Sequence, residues 1–104
     1  MRIVWSNKAK LAWLETLNYI HAEYGYRSAL AFRNETSQVS AQLKKFPQSA
    51  PVELLLESAR YEFRSVVLGA HNKLIYHVSG NAIYVVDLWD TRREPKKQAA
   101  ETSL

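Results

Sequence analysis

The sequence predicts a single α+β domain in which a helical hairpin packs against one side of a mainly antiparallel sheet. Two long segments carry apolar residues at alternating spacings of three and four, which is the period of an amphipathic helix. A short β-type run precedes them, and three later segments alternate with the period of two that is typical of strands. Because each layer has one apolar face to bury, we expect a β-α-α-β-β-β sandwich.

The hairpin is predicted from the first half of the chain. A strand near residues 2–6 precedes a helix over residues 7–24, which ends at Gly25 because glycine tolerates the backbone conformation of a helix C-terminus. A second helix over residues 27–46 ends before Pro47, since the residue that precedes a proline is disfavoured in the α conformation. The connection is so short that the two helices are expected to run antiparallel.

The second half of the chain predicts a three-stranded meander. The strands are expected near residues 60–68, 73–79 and 82–89, with turn-forming residues between them. In the first of them Arg64 alternates with the apolar Phe63. We interpret the apolar side as the one that faces the helices, so that Arg64 points away from them.

Composition excludes several classes of function. Apolar residues make up 47% of the 104 residues, which is typical of a globular chain with a core. There is no cysteine, glycine-rich loop or H-x-x-x-H spacing, so we expect neither a metal nor another cofactor. No signal segment or membrane-spanning apolar run is evident, and we expect a cytoplasmic protein without membrane contact. One domain over residues 1–97 and a flexible tail over residues 98–104 are expected.

A series of motifs extends over most of the chain. A short strand runs into an alanine-bearing helix, and the second helix closes with a leucine and a proline. An arginine-bearing strand, a basic-apolar-apolar-tyrosine strand, a long last strand and two basic residues follow. In this sequence the motifs are Ile3-Val4-Trp5-Ser6 with Ala9, Leu43-x-x-Phe46-Pro47, Tyr61-Glu62-Phe63-Arg64, Lys73-Leu74-Ile75-Tyr76, Ile83 to Trp89 and Arg92-Arg93. Their order and spacing resemble the RelE/ParE superfamily of toxins.

The resemblance implies a RelE/ParE-like fold and the toxin of a bacterial type II toxin–antitoxin system. Such a protein inhibits growth, contributes to plasmid stabilization and is neutralised by a cognate antitoxin. ParE-like members bind DNA gyrase, whereas RelE-like members cut ribosome-bound mRNA without metal. A non-toxic binding module on the same fold, or a degenerate toxin kept for its antitoxin contact, is a further alternative.

Candidate site residues follow from the chemistry of each alternative. RNA cleavage requires groups that move protons and cations that hold the phosphate. If the protein is a nuclease, the catalytic candidates are Arg64, Lys73, His77, Arg92 and Arg93. The candidates for target binding are Arg64, His71, Lys73, Trp89, Arg92 and Arg93. Tyr76 alternates with apolar neighbours, so we expect it in the core rather than in catalysis.

The distribution of charge favours the ParE-like alternative. The net charge is +4, but the first 56 residues carry +3 of it and the sheet half only +1. Asp90 and Glu94 flank the arginine pair at 92–93, which weakens the positive potential that an RNA site needs. We expect an acidic antitoxin whose amphipathic segment covers the open face of the sheet or the groove of the hairpin.

Overall fold

The fold has three layers, with a four-stranded sheet in the middle. The helical hairpin covers one face of the sheet, and a 3-10 turn and a short last helix cover part of the other. The computed structural model describes residues 1–57, 60–93 and 95–102. Its elements are β1 Arg2–Trp5, α1 Asn7–Tyr24, α2 Tyr26–Lys45, a 3-10 turn Leu54–Leu56, β2 Arg64–Leu68, β3 Asn72–Ser79, β4 Ala82–Asp90 and α3 Pro95–Glu101. The predicted α+β class and the β-α-α-β-β-β order are confirmed, and the 3-10 turn and α3 are additions to them.

The sheet has the strand order β1-β4-β3-β2. Strands β2, β3 and β4 form the predicted antiparallel meander, and β1 lies parallel to β4 at the edge. A β-bulge interrupts the β3–β4 ladder, because Tyr76 pairs with Val85 while Ile75 pairs with Asp87. Val86 is therefore an extra residue in β4.

The main core lies between the helical hairpin and the sheet. Ser6 caps α1 by accepting a hydrogen bond from the backbone N–H of Ala9 at 3.0 Å. The two helices are joined by the Trp13 indole, which donates to the Thr36 hydroxyl at 3.0 Å and stacks on Phe32. The cluster contains Ala9, Phe32, Leu43, Ala50, Leu68, Leu74, Tyr76, Ile83, Val85 and Leu88. Within the described residues, no helix has the length and apolarity needed to cross a membrane.

A smaller core covers the other face of the sheet. It consists of Leu56, Phe63, Ile75 and Trp89, with Ala99 of α3 packed against it. The sequence predicts this face to be open, but the 3-10 turn and α3 cover part of it. The sequence also predicts a flexible tail from residue 98, whereas the structure has a helix through Glu101 and buries Gln98 and Thr102.

The outer edge of β2 is paired largely with the chain's own polar groups. The Ser65 N–H donates to the Pro51 carbonyl at 3.1 Å, and the Glu53 N–H donates to the Phe63 carbonyl at 2.7 Å. Directly after the strand, the N–H of Gly69 donates to the Glu35 carboxylate. These bonds reduce the edge that is available to an added strand.

Candidate functional site

Each of the four predicted cationic site residues forms an ion pair with a carboxylate. The nitrogen–oxygen distance is 2.8 Å for Arg64–Glu62, 3.0 Å for Arg92–Asp90 and 2.8 Å for Arg93–Glu101. The fourth pair is Lys73–Glu53. The positive charge that the sequence predicts for target binding is therefore partly neutralised by carboxylates of the same chain.

Arg64 lies on the side of the sheet that faces the helices, so the predicted orientation is wrong. Val66 and Leu68, which follow it at spacings of two, pack in the main core. Its guanidinium donates to the carbonyls of Gln48 and Ala50, at 3.3 and 2.7 Å, just beyond the end of α2. The physical reason is that both faces of the sheet are covered, so the apolar Phe63 side did not identify the helical face.

Lys73 and Trp89 lie on the opposite face of the sheet, where they contact each other. The Lys73 ammonium sits 5.1 Å from the centre of the Trp89 ring and pairs with Glu53. Burial opposes ionisation of Glu53, but the hydrogen bonds from Lys73 and from the Leu55 N–H, together with the charge of Lys73, lower the pKa of that carboxyl. Trp89 is only 2% exposed, which leaves no free ring face for stacking on a base.

A buried polar network that the sequence did not indicate fixes α3 over this face. The Trp89 indole N–H donates to the Thr102 hydroxyl at 2.9 Å, and that hydroxyl donates to the Asp87 carboxylate at 2.8 Å. Lys8 lies 3.5 Å from the same carboxylate and donates to the Glu101 carbonyl. The network joins the start of α1, β4 and the end of α3, and only the fold brings these distant residues together.

His77 is enclosed by aromatic rings rather than presented to a ligand. Its ring stacks between Tyr61, at 4.1 Å between centroids, and Tyr84, at 5.3 Å, with the Phe63 ring edge-on at 5.4 Å. Its Nδ1 is 3.0 Å from the Ser79 hydroxyl. Burial lowers the pKa of His77, which favours the neutral ring.

His71, Arg92 and Arg93 are brought together at one groove. The hairpin groove, as we call it, is a cleft of about 850 Å³ between the helical hairpin, the β2–β3 turn and the segment after β4. Arg92 donates hydrogen bonds from Nε and Nη2 to the Asp90 carboxylate, at 3.1 and 3.0 Å. These hydrogen bonds lower the pKa of Asp90 and raise the pKa of Arg92. Glu94, the other acid expected beside the pair, lies outside the described residues.

The predicted site residues thus fall into separate environments. Arg64 is on the helical side, Lys73 and His77 are on the other face, and Arg92 is at the groove, so they do not line one cleft. Tyr76 is in the core as expected, and its hydroxyl donates to the Pro47 carbonyl at 2.8 Å. Among the described residues, no group of three or more metal-ligating side chains occurs.

Comparison with known proteins identifies the fold. No family model matches the sequence, and no curated protein matches it. Among solved structures, a chain of the one described as "Chromosomal ParDE TA system from P. aeruginosa" is similar, with a TM-score of 0.62 and 18% identity. The match covers 86% of this chain and 95% of that chain. The chain therefore has the α+β fold that its resemblance to the RelE/ParE superfamily implies.

Proposed function

We propose that this protein is the toxin of a type II toxin–antitoxin pair and that it inhibits a protein target such as DNA gyrase by binding it. The observation that carries the mechanism is the dispersal of the candidate cations over two faces and a groove, each with a carboxylate partner. The ParDE system to which the similar structure belongs supports the toxin–antitoxin context.

The chemistry of RNA cleavage argues against the RelE-like alternative. A cyclising phosphate needs concentrated positive charge with proton donors and acceptors in reach of it. The enclosed ring of His77 stands on one face of the sheet, whereas Arg64 stands on the other. An ion pair at each cation also reduces the electrostatic stabilisation that it can give to a transition state.

Binding at the mouth of the hairpin groove requires less preorganisation than catalysis. We propose that His71, Arg92 and Arg93 contact the target there, because they share one cleft and are exposed. We propose that Arg64, Lys73 and Trp89 stabilise the fold rather than contact the target. The polar groups of their side chains bond to other residues of the same chain.

A cognate antitoxin completes the proposal. The basic character of the chain, with a net charge of +4, favours an acidic partner. Co-expression with the product of the neighbouring reading frame should restore growth and yield a complex that co-purifies. Absence of both effects would remove the toxin–antitoxin part of the proposal while leaving the binding mechanism open to the next experiment.

Inducing the protein in cells without its partner tests the mechanism. We expect intact mRNA and blocked gyrase supercoiling, and we expect Arg92→Ala to weaken inhibition. Lys97→Ala, which removes an exposed cation from α3, is the matched control and should inhibit like the unsubstituted protein. Codon-positioned mRNA cuts that disappear in Arg92→Ala or Lys73→Ala would instead establish the nuclease.

A further inference from the structure

The acidic side chains of the helical hairpin all lie on one of its sides. Glu15 and Glu35 line the hairpin groove. Glu23 follows the groove residue Thr16 by seven positions, which is about two helical turns, so it belongs to the same side of α1. All the carboxylates of α1 and α2 are therefore on the groove side.

The contact between the two helices shows which side is the opposite one. Trp13 of α1 stacks on Phe32 of α2, with 6.1 Å between ring centroids. Ala12 and Ala31, each one position earlier in its helix, line the groove. In two antiparallel helices that face each other, the residue that follows a contact residue points to the same side of the hairpin in both helices. Since the preceding residues Ala12 and Ala31 point to the groove, the following residues point away from it.

That outer side carries cations and leucines. Leu14 and Arg33 are the residues one step after the contact pair. Lys10 precedes Leu14 by four positions, Leu30 precedes Arg33 by three, and Lys44 follows Arg33 by eleven, so these residues continue the same stripes. We call Lys10, Leu14, Leu30, Arg33 and Lys44 the outer seam.

The cations of the outer seam differ from those of the sheet. Among the described residues, none of Lys10, Arg33 and Lys44 forms an ion pair, whereas Lys8 and the four cationic candidates do. Leu14 is 47% exposed and Leu30 is 38% exposed. The seam thus combines uncompensated positive charge with exposed apolar surface.

We propose that the outer seam is a docking surface for an acidic amphipathic helix of a partner protein. Carboxylates of such a helix would meet Lys10, Arg33 and Lys44, and its apolar stripe would cover Leu14 and Leu30. A nucleic acid would use the cations but gain little from the leucines. The surface lies on the opposite side of the hairpin from the groove, so this inference goes beyond the proposed function and does not depend on it.

The test uses the purified full chain and a fluorescein-labelled synthetic peptide. The peptide carries leucine at positions i, i+3, i+4 and i+7 with glutamate at the positions that flank this stripe, and a scrambled peptide of equal composition accompanies it. Fluorescence anisotropy should show saturable binding of the patterned peptide only. Lys10→Glu with Arg33→Glu should weaken that binding by roughly tenfold or more, since two attractions become repulsions.

Matched variants separate the surface from net charge. Lys96→Glu with Lys97→Glu makes the same charge change on α3 and should alter affinity by less than about twofold at moderate salt. Leu14→Ser with Leu30→Ser changes only exposed apolar side chains and should also weaken binding. Circular dichroism of each variant checks whether the helices persist.

Several results would overturn the inference. These are failure of the patterned peptide to bind, equal binding of the scrambled peptide, or equal loss in both double-charge variants. Tighter binding of a single-stranded DNA oligonucleotide to the same residues would identify a polyanion surface instead. Self-association that Lys10→Glu with Arg33→Glu abolishes would identify a second copy as the occupant.

Discussion

Replacing Thr102 with valine tests whether the buried network holds α3 in place. Valine has nearly the same shape as threonine but no hydroxyl, so the Trp89 indole N–H and one oxygen of Asp87 lose their partner. Leaving a buried polar group unsatisfied costs about 1–3 kcal/mol. Asp87 also accepts from the Leu88 N–H at 2.8 Å and lies near Lys8, which reduces its share of the loss.

We therefore expect Thr102→Val to lower the free energy of unfolding by about 2 kcal/mol. For a domain of this size, that loss lowers Tm by roughly 10 °C. Urea denaturation followed by tryptophan fluorescence measures the change, and native trypsin cleavage after Lys97 reports whether α3 separates from the sheet.

Two controls accompany this measurement. Thr102→Ser keeps the hydroxyl and loses only one buried methyl group, so it should cost less than about 1 kcal/mol. Thr91→Val removes an exposed hydroxyl that donates to the His71 carbonyl, and we expect a similarly small effect. The reasoning is refuted if Thr102→Val is as stable and as resistant to trypsin as Thr102→Ser.

Three further substitutions probe the sheet and its cores. Gly69→Ala should destabilise the fold by about 1–3 kcal/mol in urea denaturation, because φ is +69° and a Cβ would lie 3.3 Å from the Phe32 ring. Tyr76→Phe removes the bond to the Pro47 carbonyl and should cost about 1 kcal/mol by the same assay, with unchanged circular dichroism. Burial lowers the pKa of His77, so as the pH falls the unfolded chain takes up a proton on this ring near the ordinary pKa of about 6.5, whereas the folded chain takes it up only at lower pH. Stability should be retained above that pH and decline as the pH falls below it, and His77→Phe should flatten this decline in denaturation series at successive pH values.

Much of the fold was predictable because most of its helices and strands bury one row of regularly spaced apolar side chains. Periodicity located α1 and α2 within one or two residues, since positions such as Trp13 and Phe32 all meet the same layer. The last helix gave no such signal, because α3 is short and is held on the sheet by Ala99 and by Thr102, the residue that follows it, rather than by large apolar side chains. Its polar anchors resemble tail residues until their partners are known.

The candidate site was less predictable, since its chemistry depends on contacts between distant residues. Alternation with Leu74 and Val78 correctly placed Tyr76 in the core, but it could not indicate that Lys73 would meet Glu53 twenty positions away. The side occupied by Arg64 depends on which of two apolar faces the helices cover. Alternation shows that a strand has two sides, but it does not identify the partner of either.

The extra residue in β4 has a consequence for how the strand tolerates changes in length. Beyond Val86, Leu88 faces the hairpin and Trp89 faces α3 only because the bulge absorbs one position. Loss of a residue beside the bulge would convert β4 into a regular strand and leave these two side chains on their present sides. Loss of a residue from β3, which contains no extra position, would move every side chain on one side of the deletion to the opposite face of the sheet. Length variation among natural variants of this chain should accordingly be found next to Val86 and not in β3.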